Sequence, residues 1–169
     1  MTSKARTMAL GGVFTALSLL ALFAISYMPN SRLFFYAASS LFISFMVVEA
    51  GIGAGWVFYL ATSILSLLLI PNKLLVIPYA GFFGIYGLAK YYIESIKKPV
   101  VEYLLKGIFF IICISGLYLL FTNALLIDFA SQIPIYYLLA LLIILFYIYD
   151  YLYTRFLSFY INNFRKKRH

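Results

Sequence analysis

Between Leu33 and Ile70 the chain carries a single charged side chain, Glu49. One helix over that stretch would be about 57 Å long at about 1.5 Å per residue. The hydrocarbon core of a bilayer is only about 30 Å thick. The stretch must therefore fold back on itself. Glu49-Ala50-Gly51-Ile52-Gly53 is the place for the turn, since it holds the lone charge and two clustered glycines. Two neighbouring spans follow, near 32–48 and 53–70. The rest of the chain has the same character. Of its 169 residues, 65% are hydrophobic and 11% are charged, against about 45–50% and about 25% in soluble domains. A soluble domain of this length cannot hide so much apolar surface. Soluble enzyme, secreted disulfide scaffold and disordered segment are excluded. The expected class is an all-α polytopic membrane protein.

Six spans of about 20 residues use roughly 120 residues, which leaves room for one membrane domain and no soluble one. The first span is expected near 7–28. It follows Lys4 and Arg6 and exceeds the apolar core of a signal peptide, so it is read as a retained helix. Pro29-Asn30-Ser31 and Pro71-Asn72-Lys73 are turn signals after the first and third spans. A fourth span is expected near 74–93, a fifth near 104–126 and a sixth near 134–158, with a basic tail over 159–169. Lys90 to Lys106 is the most charged internal stretch and is expected to be an amphipathic surface connection. Glu94 and Glu102 within it are expected to be solvated.

Six spans put both termini on one side. Only Arg32 and Lys73 then fall on the opposite side, and the other eleven of the 13 Lys and Arg share the terminal side. The positive-inside rule makes that side cytoplasmic, and the expected location is the plasma membrane. The tail Arg165-Lys166-Lys167-Arg168 suits attraction to anionic lipid at the inner leaflet. No nucleic-acid role is needed to explain the basic charge.

Several chemistries lack their residues. There is no G-x-x-x-x-G-K-[ST] phosphate loop, H-E-x-x-H helix or G-x-S-x-G elbow. The only histidine is His169 and the only cysteine is Cys113, so a histidine-based triad, a metal cluster and an intrachain disulfide are not expected. No enzyme activity, metal or cofactor is assigned.

The residues that invite a functional reading are few. In the first span Ala5, Ala9, Gly12 and Ala16 share one helix face, a spacing that lets two backbones approach closely in lipid. Gly51-x-x-x-Gly55 and the trio Gly81, Gly84, Gly87 form two more small-residue patches. Each suits either packing within the chain or docking to another membrane protein. On the weakly charged side, Asn30 and Arg32 lie in the first loop and Asn72 and Lys73 in the second. Asn123 and Asp128 flank the third. Tyr36 lies one turn inside Arg32, and Tyr79 lies below Lys73. If these loops converge, they line a pocket of two cations, amides and aromatic walls, suited to a ring-bearing or anionic small molecule. Alternatively, the cations reach lipid headgroups and the tyrosines belong to the interfacial belt. Asp150 is the one carboxylate well inside a span, where a charge is costly. It is expected to form an ion pair with Arg155 or hydrogen bonds to nearby tyrosines, or else to couple ion movement.

The chain resembles the substrate-binding component of an energy-coupling factor vitamin transporter. The likeness rests on six short spans, inward termini, and the opening K-A-R-T-M-A-L-G-G-V-F-T-A-L. It implies that Ala5, Ala9, Gly12 and Ala16 contact a transmembrane coupling subunit, and that separate ATPase subunits supply the energy. It also implies a micronutrient bound from outside, with Arg32, Asn72 and Lys73 suitably placed. The leading expectation is a binding and delivery subunit for small-molecule uptake. An autonomous ion-coupled carrier or channel is the alternative, and a non-transporting scaffold is a third.

Overall fold

The computed structural model describes residues 4–124 and 135–165. Six helices are long and apolar enough to cross a membrane, and there is no strand among the described residues. The helices are α1 (Lys4–Tyr27), α2 (Arg32–Ala50), α3 (Ile52–Leu69), α4 (Gly84–Glu94), α5 (Pro99–Leu119) and α6 (Ile135–Tyr160). A 3-10 turn at Lys73–Leu75 and a π turn at Tyr79–Phe83 lead into α4 within the same span.

The α2–α3 connection is as short as the sequence demands. Gly51 alone separates the helices, with φ 89°. That backbone region strains any residue with a Cβ, so glycine ends α2 here. Successive helices run in opposite directions. Arg6 near the start of α1 meets Glu49 at the end of α2 at 3.6 Å. Tyr160 at the end of α6 donates to Glu49 at 3.0 Å. Trp56 near the start of α3 donates to Tyr92 near the end of α4. These residues mark the terminal end of the bundle. Arg32, Lys73 and the turns beside them mark the opposite end.

One boundary expectation is corrected. Only Ser95 to Lys98 of the Lys90 to Lys106 stretch is an exposed connection. Helix α4 continues to Glu94, and α5 begins at Pro99 rather than near 104. Proline at the first helical position starts α5 at no hydrogen-bond cost. Both lysines consequently belong to helices and face inward, with Lys90 1% and Lys106 4% exposed.

The interior has two apolar clusters. One joins α1 to α4 through Leu22, Ile25, Ile43, Met46, Phe58 and Leu88. The other joins α4, α5 and α6 through Phe82, Tyr86, Phe110, Phe146 and Tyr153. Helix seams are built from small residues, because lipid tails offer no hydrophobic drive for helix association. Buried Ser39, Ser40 and Ser44 line α2, and buried Thr62, Ser63 and Ser66 line α3. The glycine patch of α4 and its lead-in is used inside the chain. A Cβ at Gly81 would lie 2.9 Å from Leu117, at Gly84 2.8 Å from Tyr59, and at Gly87 2.9 Å from the Tyr153 hydroxyl. Gly55 packs in the same way against Val47. The first helix is different. Ala5, Ala9, Gly12 and Ala16 are all exposed, and a Cβ at Gly12 would meet nothing within 4 Å.

Candidate functional site

Among the described residues, the opposite end does not bring the expected polar side chains together into a pocket. Tyr36 is buried and donates to the Leu75 carbonyl at 2.5 Å. Its ring stacks on Phe83 with centroids 5.0 Å apart. Tyr79 is buried and shares a hydrogen bond with Thr62 at 2.8 Å. Both hydroxyls are therefore occupied in holding the α4 lead-in against α2 and α3. The Asn72 side chain accepts from Leu74 N–H, capping the 3-10 turn. Lys73 Nζ donates to the Ile70 and Leu68 carbonyls at 2.8 and 3.3 Å. It closes the end of α3, where unpaired carbonyls attract a cation. Asn30 and Arg32 are exposed. Asp128 and the side chain of Asn123 lie outside the described residues.

Below this end lies a cavity of about 260 Å³ between the lead-in to α4, α5 and α6, with Leu33 at the start of α2 also on its lining. Its walls are aromatic and aliphatic, with Phe82, Phe83, Phe110, Phe146 and Tyr149 the largest members. The π turn at Tyr79–Phe83 carries two of these rings. A π turn widens the helix locally, and such turns recur at functional sites. The Tyr149 hydroxyl donates to Ser40. Sequence reasoning missed this cavity, because its residues read as ordinary lipid-facing or core side chains.

Toward the terminal end, α4, α5 and α6 hold a cluster of charges. Asp150 on α6 does not pair with Arg155, which is five residues along the helix and turns outward to Tyr151. Asp150 instead meets Lys90 of α4 through Oδ1 at 2.5 Å and Lys106 of α5 through Oδ2 at 3.0 Å. Tyr86 also donates to Asp150 Oδ1. Lys90 further donates to Thr154 at 2.8 Å. Glu94 Oε1 receives both lysines, Lys90 at 2.6 Å and Lys106 at 2.8 Å. Two cations and two anions balance, as buried charges require. Glu94 is thus not the freely solvated residue expected from the sequence. Its side chain is 34% exposed, against 2% for Lys90 and 6% for Lys106.

Sequence spacing did hold a signal for this cluster. Tyr86, Lys90 and Glu94 recur every fourth residue, placing them on one face of α4. Phe146, Tyr149, Asp150 and Tyr153 follow the i, i+3, i+4, i+7 pattern on α6, and Tyr160 returns to the same face at i+14. Tyr153 completes that seam by donating to the Ser40 carbonyl at 2.9 Å and sharing a bond with Ser44 at 2.7 Å. No group of residues suited to a metal ion occurs among those described. The chain matches no protein-family model, no curated protein and no solved structure.

Proposed function

We propose that the protein is a membrane subunit that binds a small ring-bearing molecule for uptake and hands it over with the help of partner proteins. The observation that carries this reading is the aromatic cavity of about 260 Å³ beneath the weakly charged end of the bundle. Ligand sites are typically concave and mostly apolar, with volumes of about 300–1,000 Å³. A cavity just under that range suits one compact ring system. Offset or edge-on contact with Phe82, Phe83 and Phe146 would hold such a ring. The exposed Arg32 stands next to Leu33 at the rim and favours an anionic or polar substituent.

The partner half of the proposal rests on α1. Its small-residue face is left open, whereas Gly55, Gly81, Gly84 and Gly87 are closely met from within the chain. A transmembrane coupling subunit laid against Ala5, Ala9, Gly12 and Ala16, with attached ATPases, would supply the energy. In this reading the terminal end is cytoplasmic, supported by the eleven to two division of Lys and Arg. The membrane is the plasma membrane, and the opposite end with its cavity faces outward.

The test is native mass spectrometry of the gently solubilised protein, followed by thermal titration with whatever small molecule is retained. Saturable binding that Leu142→Trp abolishes is expected, because the larger ring fills the cavity. A protein with no retained molecule, and no ligand that stabilises it saturably, would refute the proposal. The alternative of an autonomous ion-coupled carrier draws support from the buried carboxylate Asp150. It requires flux in liposomes holding this protein alone, lost in Asp150→Asn.

A further inference from the structure

We propose that Lys90 and Lys106 form a binding site for a small carboxylate anion, which the Glu94 side chain fills in the resting protein. The site lies toward the terminal end, away from the aromatic cavity, and does not depend on what that cavity binds.

The geometry is that of a receptor with its own ligand in place. Two ammonium groups converge on one oxygen atom, Glu94 Oε1, at 2.6 and 2.8 Å. They are held from behind by a different carboxylate, since Asp150 offers Oδ1 to Lys90 and Oδ2 to Lys106. Thr154 and Tyr86 fix this arrangement further, one on Lys90 and one on Asp150. The lysines cannot leave: their side chains are 2% and 6% exposed. Glu94 can, because its side chain is 34% exposed and it is the last residue of α4. Once in water, it recovers its hydration. The buried pair is then left with two positive charges against the single charge of Asp150. A buried net charge demands a counter-ion, and the vacated position is already shaped for a carboxylate oxygen.

There is room for the exchange. Cavities of about 270 and 290 Å³ both border Glu94. The larger also touches Lys106 and Asp150, with Tyr103 and Tyr147 on its wall. It can take the body of a short carboxylate. Glu102 lines the larger cavity too. Its negative charge opposes a second carboxylate on the ligand, so a monocarboxylate is preferred over a dicarboxylate. Glu94 competes as a tethered ligand at high effective concentration, so the wild-type protein should bind weakly.

The experiment uses the full chain in nanodiscs of neutral phosphatidylcholine, with acetate as the probe and chloride as the control at equal ionic strength. Binding is followed by saturation-transfer NMR of the acetate methyl group. Glu94→Ala is expected to bind acetate at least about tenfold more tightly than wild type, once the tethered competitor is gone. Glu94→Gln should also gain affinity, because it keeps the side-chain volume but not the charge. It decides the matter if the alanine variant does not fold. Adding Lys106→Met to either variant should abolish the gain, and succinate should bind more weakly than acetate. Equal acetate affinity in wild type and the Glu94 variants would overturn the proposal, as would a gain that survives Lys106→Met. Tighter binding of succinate than acetate would overturn the role given to Glu102.

Discussion

Replacing Asp150 by asparagine tests the charge cluster most directly. The carboxylate is 5% exposed and accepts from Tyr86, Lys90 and Lys106. Asparagine keeps one acceptor for Tyr86 and presents an amide donor where an ammonium group now sits. Removing one partner of a buried ion pair costs about 3–5 kcal/mol, because the remaining charge stays buried. Glu94 still contacts both lysines, so the loss should fall at the lower end, about 3 kcal/mol. Lys106→Met in the same chain restores neutrality among the remaining groups. The double variant should therefore lose about 1–2 kcal/mol less than the sum of the single losses. The assay is reversible unfolding in mixed micelles over the four proteins of the double-mutant cycle. Arg155→Gln is the control and should change stability by no more than about 0.5 kcal/mol, as surface substitutions do. Full additivity of Asp150→Asn and Lys106→Met would refute the reasoning. So would a loss in Arg155→Gln equal to that in Asp150→Asn, since it would restore Arg155 as the partner.

The other predictions separate packing inside the chain from contacts outside it. Gly87→Ala puts a methyl group 2.9 Å from the Tyr153 hydroxyl and should cost about 1–3 kcal/mol by overpacking, read by the same unfolding assay. Gly12→Ile should leave the isolated protein within about 0.5 kcal/mol of wild type, because nothing lies within 4 Å of its Cβ position. It should nonetheless release a co-purifying membrane partner in a pull-down. Tyr153→Phe leaves Ser44 without its shared bond and should cost about 1–3 kcal/mol in unfolding.

The small-residue faces show why sequence spacing needed the tertiary structure. The stripe on the first helix and the glycine trio before and within α4 look alike as strings. Spacing on one helix says that a backbone can be approached closely, but not by what. The fold brings Leu117, Tyr59 and Tyr153 onto the trio and brings nothing onto Gly12. The two tyrosines near Arg32 and Lys73 differ from expectation for a related reason. Tyr36 and Tyr79 do lie toward the Arg32 and Lys73 end, but their hydroxyls are taken by Leu75 and Thr62. Those partners are distant in sequence or sit on another helix.

The sequence by itself determined the solvent and the architecture. An apolar run too long for one bilayer crossing had to turn at Gly51, and the break points at Pro29 and Pro71 divided the rest. These are local properties of chain length, hydropathy and backbone freedom. It could not tell which charges were buried. Lys90 and Lys106 lie in the most charged stretch of the chain, where solvation is the simplest expectation. Only the packing of α4, α5 and α6 decided otherwise, because Asp150 reaches both lysines across 60 and 44 residues of chain and, with Glu94, neutralises them. A charge leaves water only when an opposite charge awaits it, and that pairing exists only once the helices have met.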